Sequence, residues 1–450
     1  MHVIGESLSD TRVSAPQAVS VGWSFSTRLA FRFCVAYLTL YVLATQMLTS
    51  LLVLPGVQLP ELAALPPFRN LIFWVANEVF GFSLPLVIAS GSGDKPFDWT
   101  LVFCLLLIAA AIVLVWSIVD RKRTSYRTLH EWFRLFLRFA LGSTLVGYGM
   151  AKVIPLQMPF PGLTRLLEPY GHFSLMGVLW AQVGASPPYE VVTGSVETVA
   201  GVLLFLPGLT LLGALTAFVA MTTVFVLNMT YDVPVKLFSF QLVVMSVVLI
   251  APDFRRLMNV IVLNRTADPS NRVPLFRGLR ARRVAVAVQC AFAAWLIYSN
   301  VTDSLQSRAT YGSAAPKPSL YGIWEVETMA INGMLRSPLI TDYDRWRRLA
   351  IQRTTAMTFQ RMDDTFASYG TKVDDAAKSI ALTSVSTPGP NATPAPAGRL
   401  TFERPSPNRL ILDGEMDGRK VRMELRLVDL SGFRLLQSRF RWVQDYPFNR

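Results

Sequence analysis

The chain has 450 residues, 52% of them apolar and only 16% charged, and its mean hydropathy is +0.38. Soluble domains carry about 25% charged residues, so this is a membrane protein composition with length left over for one soluble domain. The net charge of +13 does not argue for nucleic-acid binding, because the arginine runs flank apolar segments, where they set topology.

Residues 1–17 are polar and carry no signal-peptide pattern before the first long apolar run, and 1–32 are expected to lie in the cytoplasm. The first predicted span is 33–54, closed by Pro55-Gly56. An amphipathic segment at 68–82 follows, expected to lie in the outer interface with Trp74 and Phe80 as anchors, a shallow re-entrant segment being the alternative. Span two is 99–119 and ends in Asp120-Arg121-Lys122-Arg123. Together these form an N-terminal pair of spans within 33–130. A four-helix core is expected over 131–253, with spans at 133–154, 189–206, 209–228 and 237–250. Residues 254–283 form a basic loop, 284–301 hold the seventh span (284–298), and 302–319 are a linker.

The two basic loops are an even number of crossings apart, so both fall on one side. Lys/Arg bias makes that side cytoplasmic and everything after the last span extracytoplasmic. The expected fold class is thus a seven-span α-helical membrane protein with a β-domain.

From Leu320 on, apolar and polar residues alternate in short runs such as YGIWEVETM, RLTFERP and KVRMELRLVD. Period-2 alternation at this spacing predicts antiparallel strands, and about eight in a meander would close a small barrel over 320–450. Asn332-Gly333, Asp413-Gly414 and Asp417-Gly418 supply turns. TPGPNATPAPAG reads as a long loop, Tyr343–Ile351 as a short helix across the barrel mouth, and FRLLQSRF as a late strand.

Chemistry in the core rests on ionisable residues in apolar helices, which are costly in a bilayer and mark sites. On the 133–154 helix, Arg138, Gly142, Leu145, Gly149 and Lys152 share one stripe, with Tyr148 a turn below Lys152. On the next helix, Thr193, Gly194, Glu197, Ala200 and Gly201 share another. Small residues let such stripes approach closely, so Glu197 is expected to pair with either Arg138 or Lys152. A second cluster, Tyr231, Asp232 and Lys236, follows the 209–228 span; Asp232 is within reach of Lys152 or Lys236 in principle. The loop 155–188 is expected to fold back as a lid.

Other motifs carry little. Cys34, Cys104 and Cys290 sit in apolar runs without a CxxC pair, so neither a disulfide framework nor a zinc site is expected. No metal-ligating histidine cluster, P-loop, GxSxG, HExxH or GxGxxG is present. Asn228-Met-Thr and Asn391-Ala-Thr match the glycosylation pattern, the first too close to the membrane for use. No inverted repeat supports a transporter.

The GYGMAK at 147–152, SVETVAGVLLFLPG at 195–208 and NMTYDVPVK at 228–236 resemble the DoxX-like family of bacterial four-helix membrane proteins, over about a quarter of the chain. The family's G-x-x-K and following Glu match Gly149, Lys152 and Glu197. The resemblance implies a link to quinones or thiol redox, with any enzymatic role that of an oxidoreductase component. Lys152, Glu197, Arg138, Tyr148, Tyr231, Asp232 and Lys236 are the candidate ligand-binding residues. The C-terminal region resembles a lipocalin-type barrel through Gly322-Ile-Trp324, with Arg439 or Arg441 as the residue that packs on that Trp. This resemblance implies a small apolar ligand. The alternative function is a non-enzymatic anchor whose periplasmic barrel recruits a protein partner.

Overall fold

A computed structural model describes residues 22–53, 59–269, 275–276, 278–384, 395–438 and 440–447. The N-terminal residues 1–21, Arg272, Arg277, Arg439, the Asn391 motif and most of the predicted long loop lie outside them.

The first part of the chain is helical. It runs through α1 (Phe25–Ala44), α2 (Gln46–Leu51), α3 (Pro66–Glu78), α4 (Pro96–Val119), α5 (Arg127–Val153), α6 (Leu163–Leu167), α7 (Leu175–Gly184), α8 (Pro187–Phe205), α9 (Thr210–Thr230), α10 (Lys236–Ile250), α11 (Phe254–Leu257) and α12 (Leu279–Thr310). The starts follow local capping rules. Ser24 Oγ accepts from Thr27 N at 3.1 Å, and Asp98 Oδ2 accepts from Lys95 N at 3.0 Å beside a Pro96 in the first turn. The segment expected in the interface is α3, with Phe68, Leu71 and Trp74 exposed and Ile72, Val75 and Ala76 buried.

Five segments are long and apolar enough to cross a membrane: Phe25–Ala44, Pro96–Val119, Pro207–Thr230, Lys236–Val262 and Leu279–Thr310. Seven were expected. The other two, 133–154 and 189–206, do form helices (α5 and α8) but are not among the five. Both carry charged and small residues on the face they share, Arg138 and Lys152 on α5 and Glu197 on α8 among the glycines, which lowers their hydropathy although α8 also presents Val192, Val196 and Val199 on its outside. α12 is also longer than the predicted 284–298 span, continuing through the expected linker to Thr310.

Glycines set the α5–α8 contact. A methyl group added at Gly194 would stand 2.6 Å from the Gly149 carbonyl oxygen, and one at Gly201 2.6 Å from that of Gly142. The pairs 142/201 and 149/194 run in opposite senses, so the helices are antiparallel, touching backbone to backbone at two levels seven residues apart. α12 runs parallel to α5, since Phe292 packs on Phe139 with ring centroids 5.5 Å apart and the Asn300 amide lies against Gly147.

Buried polar contacts lock one end of the bundle. Arg32 donates to Tyr126 Oη at 2.6 and 3.0 Å, to Ser117 Oγ at 2.7 Å and to the Asp120 carbonyl at 3.1 Å. Arg134 and Arg256 meet Asp253 at 3.7 and 2.6 Å, joining α5 to the end of α10. Both basic loops therefore emerge at this end, as the even number of crossings required. The β-domain attaches at the opposite end, beyond Thr310.

That domain comprises β1 (Gly322–Ile331), β2 (Met334–Leu335), β3 (Trp346–Arg353), β4 (Ala356–Arg361), β5 (Phe366–Asp374), β6 (Ser379–Ser384), β7 (Pro396–Ser406), β8 (Arg409–Met416) and β9 (Arg419–Leu427). All pairs are antiparallel in a meander. β1 pairs with β9 to close an eight-strand barrel, and β2 is a two-residue extension of the β1 hairpin. Asn332-Gly333 and Asp417-Gly418 have positive φ at both residues (51° and 80°, 50° and 73°), the geometry of tight primed hairpin turns.

Three expectations are corrected here. Residues 346–351 form β3 rather than a helix, because Trp346, Leu349 and Ile351 all point into the barrel, a register shift between Trp346 and Arg348 bringing Trp346 to the same face as the alternating Leu349 and Ile351. FRLLQSRF is not a strand: it holds the helix α13 (Arg434–Gln437), since β9 has already closed the barrel. The guanidinium over Trp324 is that of Arg404 on β7, 5.7 Å from the ring centroid; Arg441 lies beyond the closing strand.

Trp324, Leu349, Phe359, Leu400, Leu412, Met423 and Leu425 are all 0% exposed and fill the interior. Trp324 also satisfies its indole N–H on the Leu320 carbonyl at 2.9 Å. Trp324→Ala is expected to destabilise the barrel by about 3–5 kcal/mol, read as accelerated hydrogen exchange across β1, β3 and β9 in the full chain. Unchanged protection would mean that the interior is not packed around this ring.

Candidate functional site: a cavity around a buried ion pair

The glycine contacts bring Lys152 and Glu197 together. Lys152 Nζ donates to Glu197 Oε1 at 2.7 Å and Oε2 at 2.6 Å. Both residues are buried, at 7% and 3% exposure. Of the two partners the sequence offered for Glu197, the structure thus selects Lys152. Arg138 does something else on the same stripe: its Nε and Nη2 donate to the Leu204 and Phe205 carbonyls at 2.7 and 2.9 Å. These are terminal carbonyls of α8, and a cation there also complements the helix dipole. Fourteen residues separate Arg138 from Lys152, about 21 Å along α5.

The ion pair lines a cavity of about 350 Å3 enclosed by α5, α7, α8, α9 and α10. This size falls within the range of small-molecule sites. Tyr148 and Tyr231 line it as well. Tyr148 Oη lies 3.3 Å from Gln46 Oε1. The polar groups Thr193, Asn228 and Ser239 face it too, among mostly apolar walls. Asn228 donates to Ser239 Oγ at 3.0 Å, bridging α9 and α10.

The loop 155–188 covers part of this cavity, as expected of a lid. α7 contributes Leu179, Trp180 and Val183 to the lining, and the Met158 amide donates to the buried Glu190 Oε1 at 2.9 Å. The lid is fastened to the barrel. The Leu163 amide donates to Gln352 Oε1 at 3.0 Å, Gln360 Nε2 to the Leu167 carbonyl at 3.2 Å, and Leu163 and Leu167 pack on Ile323 and Ala350.

One flank of the cavity opens sideways. Val192 and Val196 on α8 and Val219 on α9 line it and are also 60, 43 and 65% exposed on the outside of the bundle. α8 and α9 touch closely at the other end, where a methyl at Gly213 would lie 2.7 Å from Leu204 N.

Asp232 and Lys236 do not line this cavity. Lys236 Nζ reaches Asp232 Oδ1 at 2.8 Å and Asp94 Oδ2 at 3.6 Å. Asp94 also accepts from the Lys236 and Leu237 amides at 2.9 Å each, capping α10. This trio is a rim cluster at the barrel end of α10. His172 lies in an exposed turn.

Sequence reading missed Thr193 as a cavity residue, although it placed it on the Glu197 stripe. It placed Asn228 at the start of the second cluster and in a glycosylation pattern rather than in a cavity wall, and it gave no role to Ser239. The interval of eleven residues between these two spans a tight turn, which was the available signal that they face each other. Among the described residues, no group of three or more His, Cys, Asp or Glu could hold a metal ion. Comparison with protein-family models, curated proteins and solved structures finds no match for this chain.

Proposed function

We propose that the chain is a DoxX-like multi-pass protein of a bacterial inner membrane that binds a lipid-soluble molecule, a quinone or related lipid, in the cavity around Lys152 and Glu197. The observation that carries this reading is the coincidence of three features at one place: a buried ion pair, a cavity of small-molecule size beside it, and a flank walled by outward-exposed valines. A buried pair needs no cavity to fix helix register, and a packing defect needs no ion pair. Together they suit a ligand with an apolar body and a polar head, entering between α8 and α9 from the bilayer.

In this reading α5 and α8 complete a seven-span bundle, with the basic loops in the cytoplasm and the barrel in the periplasm. The Lys152 ammonium has a third N–H beyond the two given to Glu197, and that donor is suited to a quinone carbonyl. Tyr148 and Tyr231 flank the head. A link to membrane redox or thiol processes follows from the family resemblance alone.

The test is photolabelling in membranes with an azido-quinone carrying a short isoprenoid tail. Label is expected on α8 and α9 peptides, and it should fall at least tenfold when the flank is filled by Val196→Trp with Val219→Trp. Equal labelling of the filled variant would refute entry at this flank.

A second reading, of a scaffold whose barrel recruits a periplasmic partner, is favoured by the packed barrel interior. An eight-strand barrel filled by its own side chains offers its outer surface for contacts, as it already does to the lid.

A further inference from the structure

On the other side of the α9–α10 hairpin lies a second, larger depression of about 600 Å3, bounded by α1, α4, α9 and α10. It shares no residue with the ion-pair cavity. Its lips, Trp99, Met229 and Phe240, are exposed on the outside of the bundle, whereas Tyr37, Leu38 and Gln241 form a buried floor. The walls are almost wholly apolar. The polar groups are few: Lys236 at the rim, the Tyr37 hydroxyl in the floor beside the Gln241 side chain, and Gln241 itself, which is 4% exposed and whose Oε1 has no hydrogen-bond partner among the described residues. An unpaired amide oxygen in an apolar wall is unfavourable, and in a bilayer no water is at hand to satisfy it. A ligand that brings one donor to this spot removes that penalty.

The rim narrows the chemistry further. Lys236 lines the barrel-end rim, but Asp232 and Asp94 already engage its ammonium at 2.8 and 3.6 Å. Two carboxylates against one ammonium leave no spare positive charge for a phosphate. An anionic headgroup is therefore disfavoured. Gln241 lies five residues further along α10, about 7.5 Å below that charged rim.

We propose that this groove binds a neutral lipid alcohol, of isoprenoid or fused-ring type, whose single hydroxyl donates to Gln241 Oε1 while its hydrocarbon body lies along Trp99, Leu106 and Phe240. The site goes beyond the quinone reading and does not depend on it, because the two pockets have separate walls.

The test uses the full chain in phosphatidylcholine nanodiscs, with tritiated geranylgeraniol and its methyl ether as probes. The ether keeps the hydrocarbon and loses the donor. The wild type is expected to bind the alcohol about tenfold tighter than the ether, the value of one hydrogen bond. Gln241→Leu, similar in volume and apolar, should bind both equally, and Val244→Trp, which fills the groove, should bind neither. Equal binding of alcohol and ether by the wild type would overturn the proposal. So would a preference that survives in Gln241→Leu, or undiminished binding by Val244→Trp.

Discussion

Lys152→Ala or Glu197→Ala, made alone, is expected to destabilise the helical bundle by about 3–5 kcal/mol, because each leaves its partner charged and buried. The combination Lys152→Met with Glu197→Leu is expected to recover most of that loss. It removes both charges and refills the space with apolar side chains of similar volume, a replacement that elsewhere is neutral or stabilising. The distances make this contrast sharp: both carboxylate oxygens lie within 2.7 Å of one ammonium, and both residues are under 10% exposed. Thermal unfolding of detergent-purified protein, followed by monodispersity on size exclusion, measures it. If either single substitution proved as stable as the double, the pair would be solvated and this picture of a dry site wrong. If the double keeps the fold, the charges are dispensable for folding and their retention calls for a function.

Gly194→Val is expected to be strongly destabilising, through overpacking of the α5–α8 contact rather than through an unpaired charge. The first added carbon alone would stand 2.5 Å from Lys152 Cβ, 2.6 Å from the Gly149 carbonyl oxygen and 2.8 Å from Val153 N. Two of these three are backbone atoms, which cannot swing away as a side-chain end can. The helices must separate. Overpacking costs about 1–3 kcal/mol where side chains can adjust, and the upper end or more is expected here. Lys152 moves with α5, so the ion pair should loosen too. Gly208→Ala is the control: nothing lies within 4 Å of the added methyl, and stability should not change. A stable, monodisperse Gly194→Val protein would contradict the close α5–α8 approach.

The contact at Gly194 also explains why so much of the site was legible in the sequence. Small residues and ionisable groups repeated at helical spacing on two neighbouring segments, which is enough to predict that two stripes face each other. The spacing could not choose between Arg138 and Lys152 as the partner of Glu197. That choice depends on the axial offset of two antiparallel helices, fixed by Gly142 against Gly201 and Gly149 against Gly194. Asp232 and Lys236 were grouped with the pair because their turn was expected at the outer face near the end of α5, yet Lys236, which binds both Asp232 and Asp94, stands at the rim. Asp94 precedes Lys236 by 142 residues, and no local pattern links them.

The barrel was predictable from alternation and from the Asn332-Gly333 and Asp417-Gly418 turns, whereas Asp413-Gly414, also read as a turn, lies inside β8, paired with Thr401 and Leu400 of β7. Its β3 strand was misread because Arg345, Arg347 and Arg348 surround Trp346 and imitate a polar helix face. In the barrel, Arg345 is buried and donates to the Val326 and Glu327 carbonyls at 2.9 and 3.2 Å. A charge buried against backbone carbonyls has no signature in composition. The span count differed for a related reason. Hydropathy registers what faces lipid, whereas α5 and α8 direct charged groups to one another and to helix ends.

The most direct measurement of the central claim is mass spectrometry of solvent extracts from purified protein, wild type beside the Lys152→Met, Glu197→Leu double variant. The double variant is the right comparison because it is expected to fold. The cavity reading predicts one quinone or related lipid, near one per chain in the wild type and reduced at least tenfold in the variant. Bulk phospholipid alone, equal in both, would contradict it and make the ion pair a packing element of the bundle.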